Sequence, residues 1–338
     1  MKSAPFVSPN FLERVAEPRS RFHRDYLAYR RGEITRAELI GRLPLVAMLG
    51  DSVCMGTYIS SPWSTLWRAR ASRGKNWFLQ LEAASSISGI SKGLETITPF
   101  VAMEYAGVGA LVDHEHERQN LFRRILGTRN FSGQIGELLR ASRFPDLILI
   151  LIGHNNVDWV WRCPPDQLDA PDQRLQRLSE ELRRDYTREL RRLLEGAAIQ
   201  RHRVAIVVYG LINFESYFKG REAAERLREA DMTLYPHLET TYKYFISFHP
   251  AHRRNLIRLS RMVNEELRLM VKTLNREFVQ QTDQIQLRYS DALATADLSR
   301  AELLHPIDGW HASVQGHNVL ASAALRDLKP SLHFLRIQ

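Results

Sequence analysis

Four short apolar runs stand far apart along the chain, at residues 43–49, 98–105, 146–152 and 203–209, each bounded by turn-forming residues. Unbroken apolar runs of this length fit strands buried on both faces, as in a parallel sheet. Between and after them the period changes. Leu175, Leu178, Leu182, Tyr186, Leu190, Leu193 and Ala197 recur at three or four residues, as do Leu256, Leu259, Val263, Leu267, Met270, Leu274 and Phe278. That spacing gives each segment one apolar stripe of a helix. Strands alternating with helices are joined by right-handed crossovers, so the pattern predicts a parallel sheet with helices over both faces. Residues 1–42 precede the first strand and are expected to form a helical appendage, broken at Pro18 and Gly32, with Thr35 and Glu38 spaced as a capping box. No internal repeat, low-complexity tract or Gly/Ser linker divides the rest, so residues 43–338 are expected to be one domain carrying long insertions.

Composition removes several classes. The chain of 338 residues is 44% hydrophobic and 25% charged, ordinary for a protein with a large buried core and unlike disordered or collagen-like chains. Its longest purely apolar run, 147–152, falls far short of the roughly 20 residues a membrane-crossing helix needs. Pro5, Asn10, Glu13 and Arg14 stand where a signal peptide would be apolar. Neither a transmembrane segment nor an export leader is expected. Cys54 and Cys163 allow at most one bridge, and a chain this long needs none, which points to a reducing cytoplasm. A net charge of +9 and a pI of about 9.7 suggest an anionic partner: lipid head group, carrier-protein phosphate, acidic glycan or nucleic acid. No zinc-finger spacing, RNA-recognition signature or helix-turn-helix pattern supports specific nucleic-acid binding. No phosphate-cradling Gly-x-x-x-x-Gly-Lys-Ser/Thr loop supports nucleotide hydrolysis. The oligomeric state is not legible.

In an open parallel sheet, function gathers in the loops beyond the carboxyl ends of the strands. After the first run comes Gly50-Asp51-Ser52-Val53-Cys54-Met55-Gly56, after the second Ala106-Gly107-Val108-Gly109-Ala110, and after the third Gly153-His154-Asn155-Asn156. Near the C-terminus Asp308-Gly309-Trp310-His311 precedes a segment of helical spacing over 313–328. These four blocks, in this order, resemble the SGNH (GDSL-type) hydrolase superfamily of esterases and lipases, over roughly residues 43–328. The resemblance implies a three-layer α/β/α sandwich around a parallel, flavodoxin-like sheet of about five strands. It also implies cleavage of an ester or thioester, without cofactor or metal, on a small-molecule or lipid-like substrate that the basic charge suggests is anionic.

The residue types suit acyl transfer. A serine hydroxyl is a weak nucleophile until a base takes its proton, and His311 is the natural base for Ser52. Asp308, three residues earlier on a turn eased by Gly309, is placed to hold the Nδ1 proton of His311. The resemblance further implies an oxyanion hole made by the backbone N–H of Ser52, the backbone N–H of Gly109 and the side-chain amide of Asn155. Gly107 is an alternative donor, and either glycine could serve only a tight turn. Two departures stand out: Asn156 occupies a place where the superfamily usually has Asp, and Glu104-Tyr105 lead the second block where an Asn is frequent.

Other features have plainer readings. Asp113, His114, Glu115, His116 and Glu117 alternate rather than share a helix face, and suit an acidic first helical turn better than a metal site. Cys54 reads as a small buried filler and not a second nucleophile. His305 and His317 read as structural. The arginine-rich segment 182–192, with Glu180 four residues before Arg184, reads as a solvated face. All six tryptophans lie in or near the catalytic loops; Trp63, Trp159 and Trp310 either line a bulky acyl or aryl pocket or build a small core for the insertions. Aromatics across 210–249, including Phe214, Tyr217 and Phe218, suggest a lid or wall. Two rival functions keep the same fold: an acyltransferase using the same serine, and a non-catalytic basic binding protein.

Overall fold

The computed structural model describes residues 6–8, 10–55, 78, 88–107, 109–112, 129–157, 172–234, 250–278, 282–305 and 311–337. Among the described residues six strands form one sheet: β1 (Phe6–Val7), β2 (Leu45–Gly50), β3 (Val101–Glu104), β4 (Leu147–Leu151), β5 (Val204–Tyr209) and β6 (Ile285–Ser290), in the order β1-β3-β2-β4-β5-β6. Strands β2 to β6 pair in parallel, and β1 adds antiparallel to the outer edge of β3. Counting the parallel strands in chain order, the arrangement is 2-1-3-4-5, the flavodoxin-like order. The direction of winding reverses between β2 and β4, which opens a crevice beyond their carboxyl ends.

The four apolar runs each contain a strand, and β2, β4 and β5 are buried along their whole lengths. β6 escaped the sequence pattern because it is an edge strand: Ile285 and Leu287 are buried while Gln286, Arg288 and Tyr289 are only half-buried, so no continuous apolar run marks it. The long helices Asp172–Ala198 and Pro250–Glu277 pack on each other, and Phe131–Leu139 packs on the first of them. Ile90–Glu95, Val314–Asp327 and Lys329–Phe334 form a second helical group, whose last member contacts β5. The apolar stripe from Leu175 to Ala197 faces the core as expected, with Leu178 half-buried. Among the described residues, no helix is long and apolar enough to cross a membrane.

Residues before β2 depart in part from an all-helical segment. Helices Phe11–Ala16, His23–Arg30 and Arg36–Gly41 are present, and the Thr35–Glu38 capping box closes with both of its hydrogen bonds. Phe6 and Val7, however, are a strand, because the free edge of β3 offers the unpaired backbone groups that a strand satisfies. Phe11, Val15, Phe22, Leu39 and Leu43 form a small core of their own, closed by Leu45 and Val101 from the sheet. On the Asp172–Ala198 helix, Glu180 accepts from Gln176 instead of pairing with Arg184, whose guanidinium lies 3.5 Å from Asp185.

One buried side chain adds to the backbone pairing at the end of β2. Gln134, fully buried, accepts from the Gly50 N–H (2.8 Å) and donates to the Gly50 carbonyl (2.8 Å) and the Arg129 carbonyl (2.9 Å). Its amide imitates a neighbouring peptide at the last residue of β2. Gln134→Met keeps the volume but orphans the buried Gly50 N–H, a loss of about 1–3 kcal/mol. Urea unfolding is expected to show that loss; an unchanged midpoint would mean the amide contributes nothing.

Candidate active site

The loop that carries Ser52 is built by exclusion. A Cβ on Gly50 would collide with the Cys54 sulfur and approach the Leu151 carbonyl to 2.5 Å, so the chain turns tightly there only because Gly50 has no side chain. Cys54 is fully buried and its thiol donates to the Leu151 carbonyl at 3.2 Å, which makes it the filler beneath the turn. Ser52 opens the short helix Ser52–Met55, directly beyond β2.

The C-terminal block arrives from the other end of the sequence. Leu304 and Ala312 form an antiparallel bridge, His305 N–H donates to the His311 carbonyl (2.9 Å), and Ser313 N–H donates to the Leu303 carbonyl (2.9 Å). Ser313 also caps the Val314–Asp327 helix by accepting from Gly316 N–H. This frame carries the His311 ring to Ser52: Nε2 lies 3.1 Å from the serine Oγ, within hydrogen-bonding distance, across 259 residues of sequence. Asp308, Trp63, Trp159 and Trp310 lie outside the described residues, as does the Asp113–Glu117 cluster.

The second and third blocks meet the same crevice. Gly109 adopts φ +71°, a left-handed conformation that favours glycine. Asn155, in the short helix His154–Val157 beyond β4, donates one amide hydrogen to the Ala110 carbonyl at 3.0 Å. Its NH2 group carries two hydrogens. The neighbouring Asn156 accepts from Val112 N–H at 3.1 Å, so an uncharged amide oxygen ties the two loops. Phe214, Tyr217 and Phe218 pack into the core beside this region, and their rings contact one another; Tyr235, Tyr242, Tyr244 and Phe248 lie outside the described residues.

Two residues given no role by sequence reasoning occupy the floor of the crevice. Asp51 is fully buried, and its carboxylate accepts from Val53 N–H (3.0 Å), from His154 Nδ1 (2.9 Å) and from His154 N–H (3.3 Å). His154, 2% exposed, uses its other ring nitrogen to accept from Ile212 N–H at 3.2 Å. The available signal was an ionisable pair set directly after two apolar strands. Burial pushes the neighbouring Tyr186 phenol well above its ordinary value, and the Asp51 charge adds to the shift. Near His311, burial pulls the His317 imidazole down to about 3, with His311 and His305 acting in the same direction.

No protein-family model matches the chain, and no curated protein matches it at significance. Among solved structures the chain is similar to a carbohydrate esterase of family 3 from Talaromyces cellulolyticus, with 14% identity and a TM-score of 0.37, covering 86% of this chain and 99% of that one. It is similar also to an acetyl esterase mutant with an acetate ion, at 14% identity and a TM-score of 0.40, with the same coverages.

His317 makes stability depend on acid. Its folded value of about 3 lies below the ordinary 6.5, so from pH 6.5 down to 3 the unfolded chain binds a proton that the folded chain refuses. Stability contributed by the neutral ring is therefore complete above pH 6.5 and falls toward pH 3, by up to about tenfold in the folding equilibrium per pH unit. Urea midpoints recorded across that range should fall less steeply for His317→Met than for the wild type; parallel curves would refute the assignment.

Proposed function

We propose that the protein is a serine hydrolase that cleaves a carboxylic ester or thioester through an acyl-serine intermediate. The observation that carries this reading is the 3.1 Å approach of His311 Nε2 to Ser52 Oγ, in the crevice where a flavodoxin-like sheet changes winding direction. As Ser52 Oγ bonds to the acyl carbon, its proton passes to His311 Nε2. The carbonyl oxygen becomes an oxyanion facing the N–H groups of Ser52 and Gly109 and the amide of Asn155, each such donor being worth about a hundredfold to a thousandfold in rate. The bond to the leaving alcohol or thiol then breaks, and His311 returns the proton to it. Water repeats the sequence on the acyl-serine, giving the free acid and regenerating Ser52. Asp308 holds His311 Nδ1 and stabilises the imidazolium.

On this reading Trp63, Trp159 and Trp310 form a pocket for a bulky acyl or aryl group, and the net charge of +9 draws an anionic, lipid-like ester. A cytoplasmic location fits a chain with two cysteines and no need of a bridge.

A fluorophosphonate probe should label the wild-type protein on one residue, and Ser52→Ala should abolish labelling and lower ester turnover by about 10⁴–10⁶-fold. Folded wild-type protein that never labels and hydrolyses no ester of a chain-length series would overturn the reading.

A further inference from the structure

The buried pair Asp51–His154 is not the base of the reaction, because no part of the His154 ring is free to act. Nδ1 is engaged by Asp51 and Nε2 by the backbone N–H of Ile212. A lone pair on Nε2 is required to accept from Ile212, which puts the ring proton on Nδ1, where it is donated to the carboxylate. The imidazole is thereby fixed at both ends.

What the pair joins gives it a role. Asp51 immediately precedes Ser52, His154 immediately precedes Asn155, and Ile212 lies in the loop beyond β5. Three adjacent strands, β2, β4 and β5, thus have their carboxyl-terminal loops tied through one imidazole. The same carboxylate turns back to Val53 N–H, so the orientation of the Ser52 turn depends on it as well. A buried carboxylate tolerates no loss of donors, which makes the linkage stiff.

We propose that Asp51 and His154 are positioning residues that set the separation between the Ser52 nucleophile and the Asn155 amide, and so align the oxyanion with its donors. This rests on the hydrolase reading above. Misplacement by about an ångström at such a site costs on the order of a hundredfold in rate. Because substrate contacts are untouched, the loss falls on kcat and leaves KM near its wild-type value.

Asp51→Asn offers a single acceptor oxygen where Val53 and His154 use two, so one contact must become donor against donor. His154→Leu removes the ring contacts altogether, and His154→Asn restores a donor toward Asp51. The expected result is kcat and the fluorophosphonate labelling rate reduced about a hundredfold in Asp51→Asn and His154→Leu, an unchanged KM, and substantial recovery in His154→Asn. Nitrogen NMR of the wild-type ring at mildly alkaline pH, which needs no variant to fold, should show Nδ1 protonated and Nε2 bare. Folded variants that label and turn over at wild-type rates, a KM rise in place of a kcat fall, or an Nε2-protonated ring would each overturn the proposal. Failure of the wild type to label would instead count against the hydrolase reading, and the ring's proton position would still test the linkage.

Discussion

The reversal of winding between β2 and β4 is the constraint on which the rest depends. Neighbouring crossovers leave in opposite directions there, which leaves a crevice beyond the carboxyl ends of those two strands. Ser52 and Asn155 sit on the first turns beyond β2 and β4, and the parallel register that aligns Gly50 with Leu151 brings these turns abreast. The last residues of the chain then need only fold back along the sheet to deliver His311.

A crevice of this kind leaves polar groups at the strand ends without strand partners, and the chain answers with buried and half-buried side chains. Gln134 substitutes for a peptide at Gly50, Asn130 accepts from Leu111 N–H, Asn156 from Val112 N–H, and Asp51 from Val53 and His154. Only the last of these acceptors is ionisable. Amide side chains supply acceptors without the desolvation cost of a charge, so the carboxylate is kept for the place where several donors converge.

Much of the basic charge is engaged within the molecule. Arg188 and Arg192 reach Asp185 and Glu189 on their own helix, Arg183 reaches Glu266, and Arg191 reaches Glu277, joining the Asp172–Ala198 and Pro250–Glu277 helices. The exposed Arg191–Glu277 pair contributes roughly 0–1 kcal/mol, whereas Asp185 and Glu189 are buried and their arginines supply the charge that burial would otherwise leave uncompensated. The arginine-rich segment that reads as a solvated face in the sequence is in the structure partly an interhelical seam.

Local periodicity determined the elements: buried strands and amphipathic helices announce themselves in unbroken apolar runs and stripes such as Leu175 to Ala197, because burial on one or both faces dictates the spacing. The order of the blocks around Ser52, Asn155 and His311 was legible for the same reason, each lying just past a strand or ahead of a helix. β6 was not, since an edge strand buries only alternate residues, and neither was β1, whose two residues are a strand only because β3 presents an open edge. Gln134, Asp51 and His154 were hidden for a deeper cause. A polar side chain in sequence carries no sign of whether it will meet water or a buried donor; that is decided only when distant segments close around it, and it is there that tertiary structure, and not local pattern, assigned their partners.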